Sequence, residues 1–168
     1  NEVAAAWKIA ATSTETPTVL ALSRQNLPVL EGTKEKAYEG VARGGYVLSA
    51  SKADTPAGIL IATGSEVNLA MEAQKELAKD GIDVSVVSMP STAVFDGQEA
   101  SYKESVLPKS VAKRVSIEMG ATFGWERYVG LDGKVMGIDR FGASAPGNTV
   151  IENYGFTVEN VVKTFKSL

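Results

Sequence analysis

The chain contains neither cysteine nor histidine. Without a thiol there can be no disulfide framework, thiolate nucleophile or cysteine-ligated zinc. Without imidazole, a Ser-His-Asp triad, a His₂Glu zinc site and an imidazole general base are excluded as well. Any chemistry here must use carboxylates, Lys, Arg, Tyr, hydroxyls or backbone groups. Long apolar runs are also missing, and the densest stretches, such as Ala57 to Ala62, are far too short to span a bilayer. Neither sign of charge dominates: 17 basic against 20 acidic residues leave a net charge of −3. That balance points to no nucleic-acid groove and no anionic membrane surface, so neither partner is expected.

What is present is ordinary globular material. Hydrophobic residues make up 44% and charged residues 22% of 168 positions, enough for one full α/β domain and little more. The chain opens at Asn1-Glu2-Val3, with no Met, basic segment or apolar leader. A soluble, cytoplasmic piece of something larger is the expectation.

Val3, Ala6, Trp7 and Ala10 recur at helical spacing, predicting an amphipathic helix over residues 2 to about 13. Asn1 is placed to cap it, with Glu2 at the positive end of its dipole. After Pro17, Thr18 to Leu22 reads as a buried strand, followed by a loop over Ser23 to Pro28. The stretch 31 to 45, with Gly32, Gly40, Gly44 and Gly45 among charges, reads as a linker. Strands are then expected at Tyr46 to Ala50, Gly58 to Ala62, Ile82 to Met89, Arg114 to Met119 and Val135 to Ile138. A helix is expected over Ser65 to Lys79, with Val67, Ala70, Met71, Gln74, Leu77 and Ala78 on one face and Asp80-Gly81 closing it. Residues 91 to 110 suggest short helical turns broken by Gly97 and Pro108, and a last helix starts at Thr157. The predicted class is α/β: a small, doubly wound, mostly parallel sheet, preceded by a helix–strand remnant of another α/β domain.

Two segments stand out as binding candidates. Thr63-Gly64-Ser65 joins a strand to a helix, where α/β folds offer free backbone N–H groups to anions. Yet it is neither a G-x-G-x-x-G nor a Walker A motif, Glu66 would repel an anion, and Ser65 is explained as a helix cap. Arg24 follows the end of the predicted strand at 18 to 22, and a guanidinium grips phosphate bidentately. Ser23, Gln25 and Asn26 offer further donors beside it, and a structural ion pair or a solvated loop is the competing role. Trp125 and Tyr128 read as packing residues in a stretch that could line a crevice, and Glu118 and Asp139 as hydrogen-bonded loop anchors.

Several segments together resemble the carboxyl-terminal third of transketolases. They include Ala21 to Pro28, Gly44 to Leu48, Ile61 to Val67, Val87 to Ser91, Phe123 to Trp125, Tyr128 to Gly130, Gly137 to Pro146 and Tyr154 to Val161. The likeness is collinear and covers essentially the whole chain. It implies part of a three-domain, homodimeric, thiamine diphosphate-dependent enzyme of the pentose phosphate pathway, which moves a two-carbon ketol unit from a ketose phosphate to an aldose phosphate. By the same resemblance, residues 1–30 end the pyrimidine-binding domain, 31–45 link, and 46–168 form the carboxyl-terminal domain. Arg24 matches the family's substrate-phosphate arginine. The groups that bind thiamine diphosphate and its divalent metal (Mg or Ca) match nothing here, so no catalytic, cofactor or metal residue is expected, and the chain alone should be inactive with a structural, dimer or regulatory role. The segment 144–153 departs from many relatives, which have a second proline-containing turn, and leaves its helix start open.

Two alternatives accompany this reading. One is a stand-alone regulatory module sensing a phosphorylated metabolite at Thr63-Gly64-Ser65. The other is the corresponding domain of another thiamine diphosphate enzyme, such as deoxyxylulose phosphate synthase or a ketoacid dehydrogenase β chain.

Overall fold

The computed structural model describes residues 1–168 and runs α1 (Glu2–Thr12), α2 (Thr33–Ala42), β1 (Tyr46–Ser49), β2 (Gly58–Ala62), α3 (Glu66–Lys79), β3 (Val84–Ser88), α4 (Thr92–Asp96), α5 (Ala100–Val106), β4 (Arg114–Ile117), α6 (Glu126–Val129), β5 (Lys134–Met136), α7 (Gly147–Asn153) and α8 (Val158–Lys166). β2 and β3 are buried along their whole length. Their sequences, apolar in β2 and in β3 valines interspersed with the small, buried Ser85 and Ser88, suit the centre of a sheet covered on both sides. The strand order is β1-β3-β2-β4-β5. β3, β2, β4 and β5 are parallel, and β1 lies antiparallel to β3 at one edge.

The period-two alternation of the strands divides the core. Leu60, Ala62, Val84, Val86, Val115 and Ile117 face α3 and α8, meeting Val67, Ala70, Leu77, Val161 and Phe165. Ile59, Ile61 and Val87 face the opposite layer, built on Phe95, Val106, Val111, Trp125 and Val129. Gly58 is required by this packing, since a Cβ there would lie 2.4 Å from the Phe165 ring. The Asp80-Gly81 stop closes α3 as expected, with Gly81 at φ +76° and its N–H donating to Ala78 O. On α3 itself Ala73 is buried, whereas Ala78, expected on the core face, is exposed.

One expectation fails in the amino-terminal part. Residues 18–22 form no strand; Val19 is 90% exposed and Leu22 53%. A strand needs a ladder partner, and the open edges of the sheet, β1 and β5, do not take this segment up. The stretch 31–45, read as a linker, contains the ten-residue helix α2. Its contact face consists of small residues: Ala37 is buried against α1, where Ala5 is buried in turn. Such a face lets two helices approach closely while contributing little to hydropathy. The segment 144–153 contains α7, which starts at Gly147.

Candidate functional site

The crossover from β2 to β3 runs through α3 on one face, and that from β3 to β4 through α4 and α5 on the other. The carboxyl ends of β2 and β3 therefore flank a topological switch point, the position at which α/β sheets open a crevice. Residues 19–23 cross this end of the sheet. With Glu2, Val3 and Ala6 of α1 and Thr63 to Glu66, they line an open groove of about 440 Å³. Ser23 and Thr63-Gly64-Ser65, far apart in sequence, thus share one groove. Arg24 lies one residue beyond its lining, is exposed, and enters no ion pair or hydrogen bond within the chain. Of the two roles that competed with binding, the structural ion pair is absent, and the exposed irregular loop is what this chain shows.

The groove does not suit an anion. Glu2, Glu66 and Glu118 line it, and no Lys or Arg does. Glu66 is buried at the start of α3, where its carboxylate accepts hydrogen bonds from the Ser65 hydroxyl and from Met119 N. Burial is the main cause that raises the Glu66 carboxyl above the usual range; those two bonds oppose the rise and the charge of Glu118 adds to it. The N–H groups of Glu66 and Val67 are turned to the carbonyls of Thr63 and Gly64. The Glu66 carboxylate, bonded to the Ser65 hydroxyl and Met119 N, places a negative charge beside the helix start that the sequence suggested for an anion. Ser65 does not cap α3 through its side chain either. Its backbone is already helical, at φ −64° and ψ −29°, whereas a capping side chain needs the extended conformation to reach back to the next turn. Asn1 likewise makes no capping bond; its Nδ2 donates to Thr33 Oγ1 at 2.8 Å.

A second crevice, about 450 Å³, lies on the other side of Glu118 and is lined by Met89, Ser91, Asp96, Phe123, Trp125 and Arg127 among others. Trp125 and Tyr128 are buried, as their packing role required. Trp125 donates its indole N–H to Glu118, and Tyr128 donates its hydroxyl to Asp96 at 3.0 Å. Asp139 accepts from the N–H and hydroxyl of Thr122, at 2.9 and 2.8 Å, which lowers its carboxyl below the usual range. Glu118 and Asp139 are hydrogen-bonded anchors and not a paired acid and base. No group of three or more acidic side chains is arranged to hold a metal ion.

Sequence reasoning missed one polar cluster. Glu2 Oε1 accepts from the Tyr46 hydroxyl at 2.8 Å and from the Ser88 hydroxyl at 2.6 Å. Its members are 44 and 86 positions apart, so no local pattern could have announced it.

Comparison with known proteins agrees with this architecture. The family description Transketolase-like TK C-terminal domain matches residues 44–157. The chain is 61% identical over all 168 residues to a transketolase of Bacillus subtilis, of which it spans 25%, and 60% identical to one of Streptococcus pyogenes, of which it spans 23%. A transketolase structure from Leishmania mexicana superposes on 99% of the chain with a TM-score of 0.90 at 41% identity, using 23% of that chain. The chain therefore spans about a quarter of the length of the relatives it matches, less than the third expected from sequence. Its five-stranded sheet and the match across 44–157 show that the chain belongs to the transketolase carboxyl-terminal domain family.

Proposed function

We propose that this chain is the carboxyl-terminal quarter of a transketolase, which transfers a two-carbon ketol unit between sugar phosphates in the pentose phosphate pathway as a cytoplasmic homodimer. Its direct contribution to substrate is Arg24, which grips the phosphate. The observation that carries this reading is an exposed guanidinium without an ion pair, in a chain 61% identical along its whole length to a transketolase. An exposed arginine with no internal partner keeps its donors for a ligand, and its planar fork matches phosphate oxygens. The domain limits on this reading are 1–30, 31–45 and 46–168, with Arg24 in the first.

Thiamine diphosphate does not fit the residues of this chain. The helix that follows β2 is headed by the Glu66 carboxylate, and the groove beside it is acidic, so a diphosphate would meet repulsion. No acidic cluster here is suited to the accompanying divalent metal. Coenzyme and metal sites belong to the other three quarters of the enzyme, and no catalytic step is assigned to these residues. One solved relative, from Pichia stipitis, is described as a complex with xylulose 5-phosphate, which supports a sugar phosphate as the ligand for Arg24.

The test is a full-length chimera in which this chain replaces the matching quarter of the Bacillus subtilis enzyme. R24A should lower kcat/KM for xylulose 5-phosphate by about 2–4 kcal/mol in transition-state terms, mostly through KM, the range for removing one side of a charged hydrogen-bonded pair. An unphosphorylated ketose donor should change little. Equal losses for both donors would remove the phosphate assignment.

A further inference from the structure

Three features converge on the amino end of α1. The first is the pair of bonds to Glu2 Oε1. Tyr46 and Ser88 are direct partners in the β1–β3 ladder, so both hydroxyls leave the same face of that edge. Both residues are buried. The Tyr46 hydroxyl is pushed far up, by burial first and then by the Glu2 charge, and it remains a donor throughout the working pH range.

The second feature is the space made for this arrangement. The Tyr46 ring lies under α2 at Gly40, where a Cβ would come within 2.2 Å of ring carbon Cδ1. Only glycine at that helical position leaves the ring, and so the hydroxyl, aimed at Glu2. Around it, Asn1 bonds Thr33, and the Lys8 ammonium lies 5.4 Å from the centre of the Tyr38 ring. The amino end of α1 is thus tied to α2, β1 and β3 together.

The third feature is the path of the chain that follows. Glu2, Val3 and Ala6 line the same groove as residues 19–23, together with Thr63 and Glu118, which directly follow β2 and β4. Ser23 is the last residue of this segment in the lining, and Arg24 follows it directly.

We propose that Glu2 is a positioning residue: held by Tyr46 and Ser88, its carboxylate fixes α1 on the β1–β3 edge and so sets the place from which Arg24 reaches the substrate phosphate. This inference rests on the assignment of Arg24 made above. Glu2 itself touches no substrate. What matters is the acceptor geometry and not the charge, because both bonds fall on one oxygen, which a glutamine carbonyl would preserve.

The experiment compares E2A, E2Q, Y46F and R24A in the full-length chimera. E2A should raise KM for xylulose 5-phosphate on the order of tenfold, below the hundredfold that a 1 Å misplacement can produce, while kcat stays within about twofold. E2Q should restore KM to near the parent value. Y46F, which removes a single donor, should shift KM in the same direction by less, and it replaces E2A as the test if E2A does not fold. In the 168-residue chain, E2A should speed hydrogen exchange of the α1 amides and leave those of β2 and β3 unchanged, with E2Q again close to the parent.

An unchanged KM in E2A alongside a raised one in R24A would overturn the role of Glu2 and spare that of Arg24. So would an E2Q variant as impaired as E2A. If R24A leaves KM unchanged, the Arg24 assignment fails and takes with it the catalytic half of the inference. The exchange measurement then still decides whether Glu2 holds α1.

Discussion

The sheet of residues 46–168 and the segment 13–31 obey the same physical rules with opposite results. In β2 every apolar side chain meets a partner layer, and every backbone group of the central ladder has a strand on each side. In segment 18–22 the sequence is just as strand-like, yet Val19 and Leu22 stand in water. β-propensity is a preference for a half-buried pleated surface, and it is realised only where a neighbour supplies that surface.

The sharpest way to test the contrast is to truncate both regions in the 168-residue chain. L60A removes a fully buried side chain from the centre of the sheet and should lower stability by about 2–5 kcal/mol in urea unfolding. V19A should stay within about 0.5 kcal/mol. A large V19A effect would mean that the segment is packed after all.

Next in size is Arg114, at the start of β4. Its guanidinium donates to the carbonyls of Val111, Tyr128, Leu107 and Pro108, joining the loop before β4 to the end of α6. Burial lowers its tendency to hold the proton, but an arginine stays charged. R114A strands these acceptors, and about 2–3 kcal/mol should be lost. R114K should recover only part of it, because an ammonium cannot reproduce the fork. Urea midpoints of the three proteins decide this.

Smaller still, and tied to pH, is the effect of Glu66. Its carboxyl is raised in the folded state, mainly by burial. The native protein therefore binds this proton more tightly than the unfolded chain does. Its contribution to stability falls as pH rises from the ordinary glutamate range through the raised value, and the full penalty applies above it. E66Q should remove that slope. The difference in urea midpoint between parent and E66Q, followed across a pH series, isolates this group from Asp83 and Asp139, whose lowered carboxyls act in the opposite sense. A pH-independent difference would show that Glu66 does not titrate differently on folding.

Much of the fold was legible because the informative residues are neighbours in sequence. The β-branched runs of β2 and β3, the Gly81 stop of α3 and the Thr157 start of α8, whose hydroxyl accepts from Asn160 N, are local signals. α2 escaped because Thr33 to Ala42 is rich in charge and makes its contacts through Ala37, Gly40 and Val41. The anion reading of Thr63-Gly64-Ser65 lost support for a reason the sequence half-showed. Glu66 was visible as a repulsive neighbour, but that it turns inward and takes the Ser65 hydroxyl depends on Met119, 53 positions away. Arg24 was singled out by its residue type, by resemblance and by its place after the predicted strand at 18–22; that strand does not form, and the segment is irregular and exposed.

The most direct measurement of the central claim is turnover of xylulose 5-phosphate, with thiamine diphosphate and Mg²⁺ supplied, by the 168-residue chain alone and by the full-length chimera. The expected result is no turnover by the chain alone and turnover by the chimera whose kcat/KM R24A reduces at least thirtyfold, the lower end of about 2 kcal/mol. Turnover by the isolated chain, or a chimera indifferent to R24A, would contradict it.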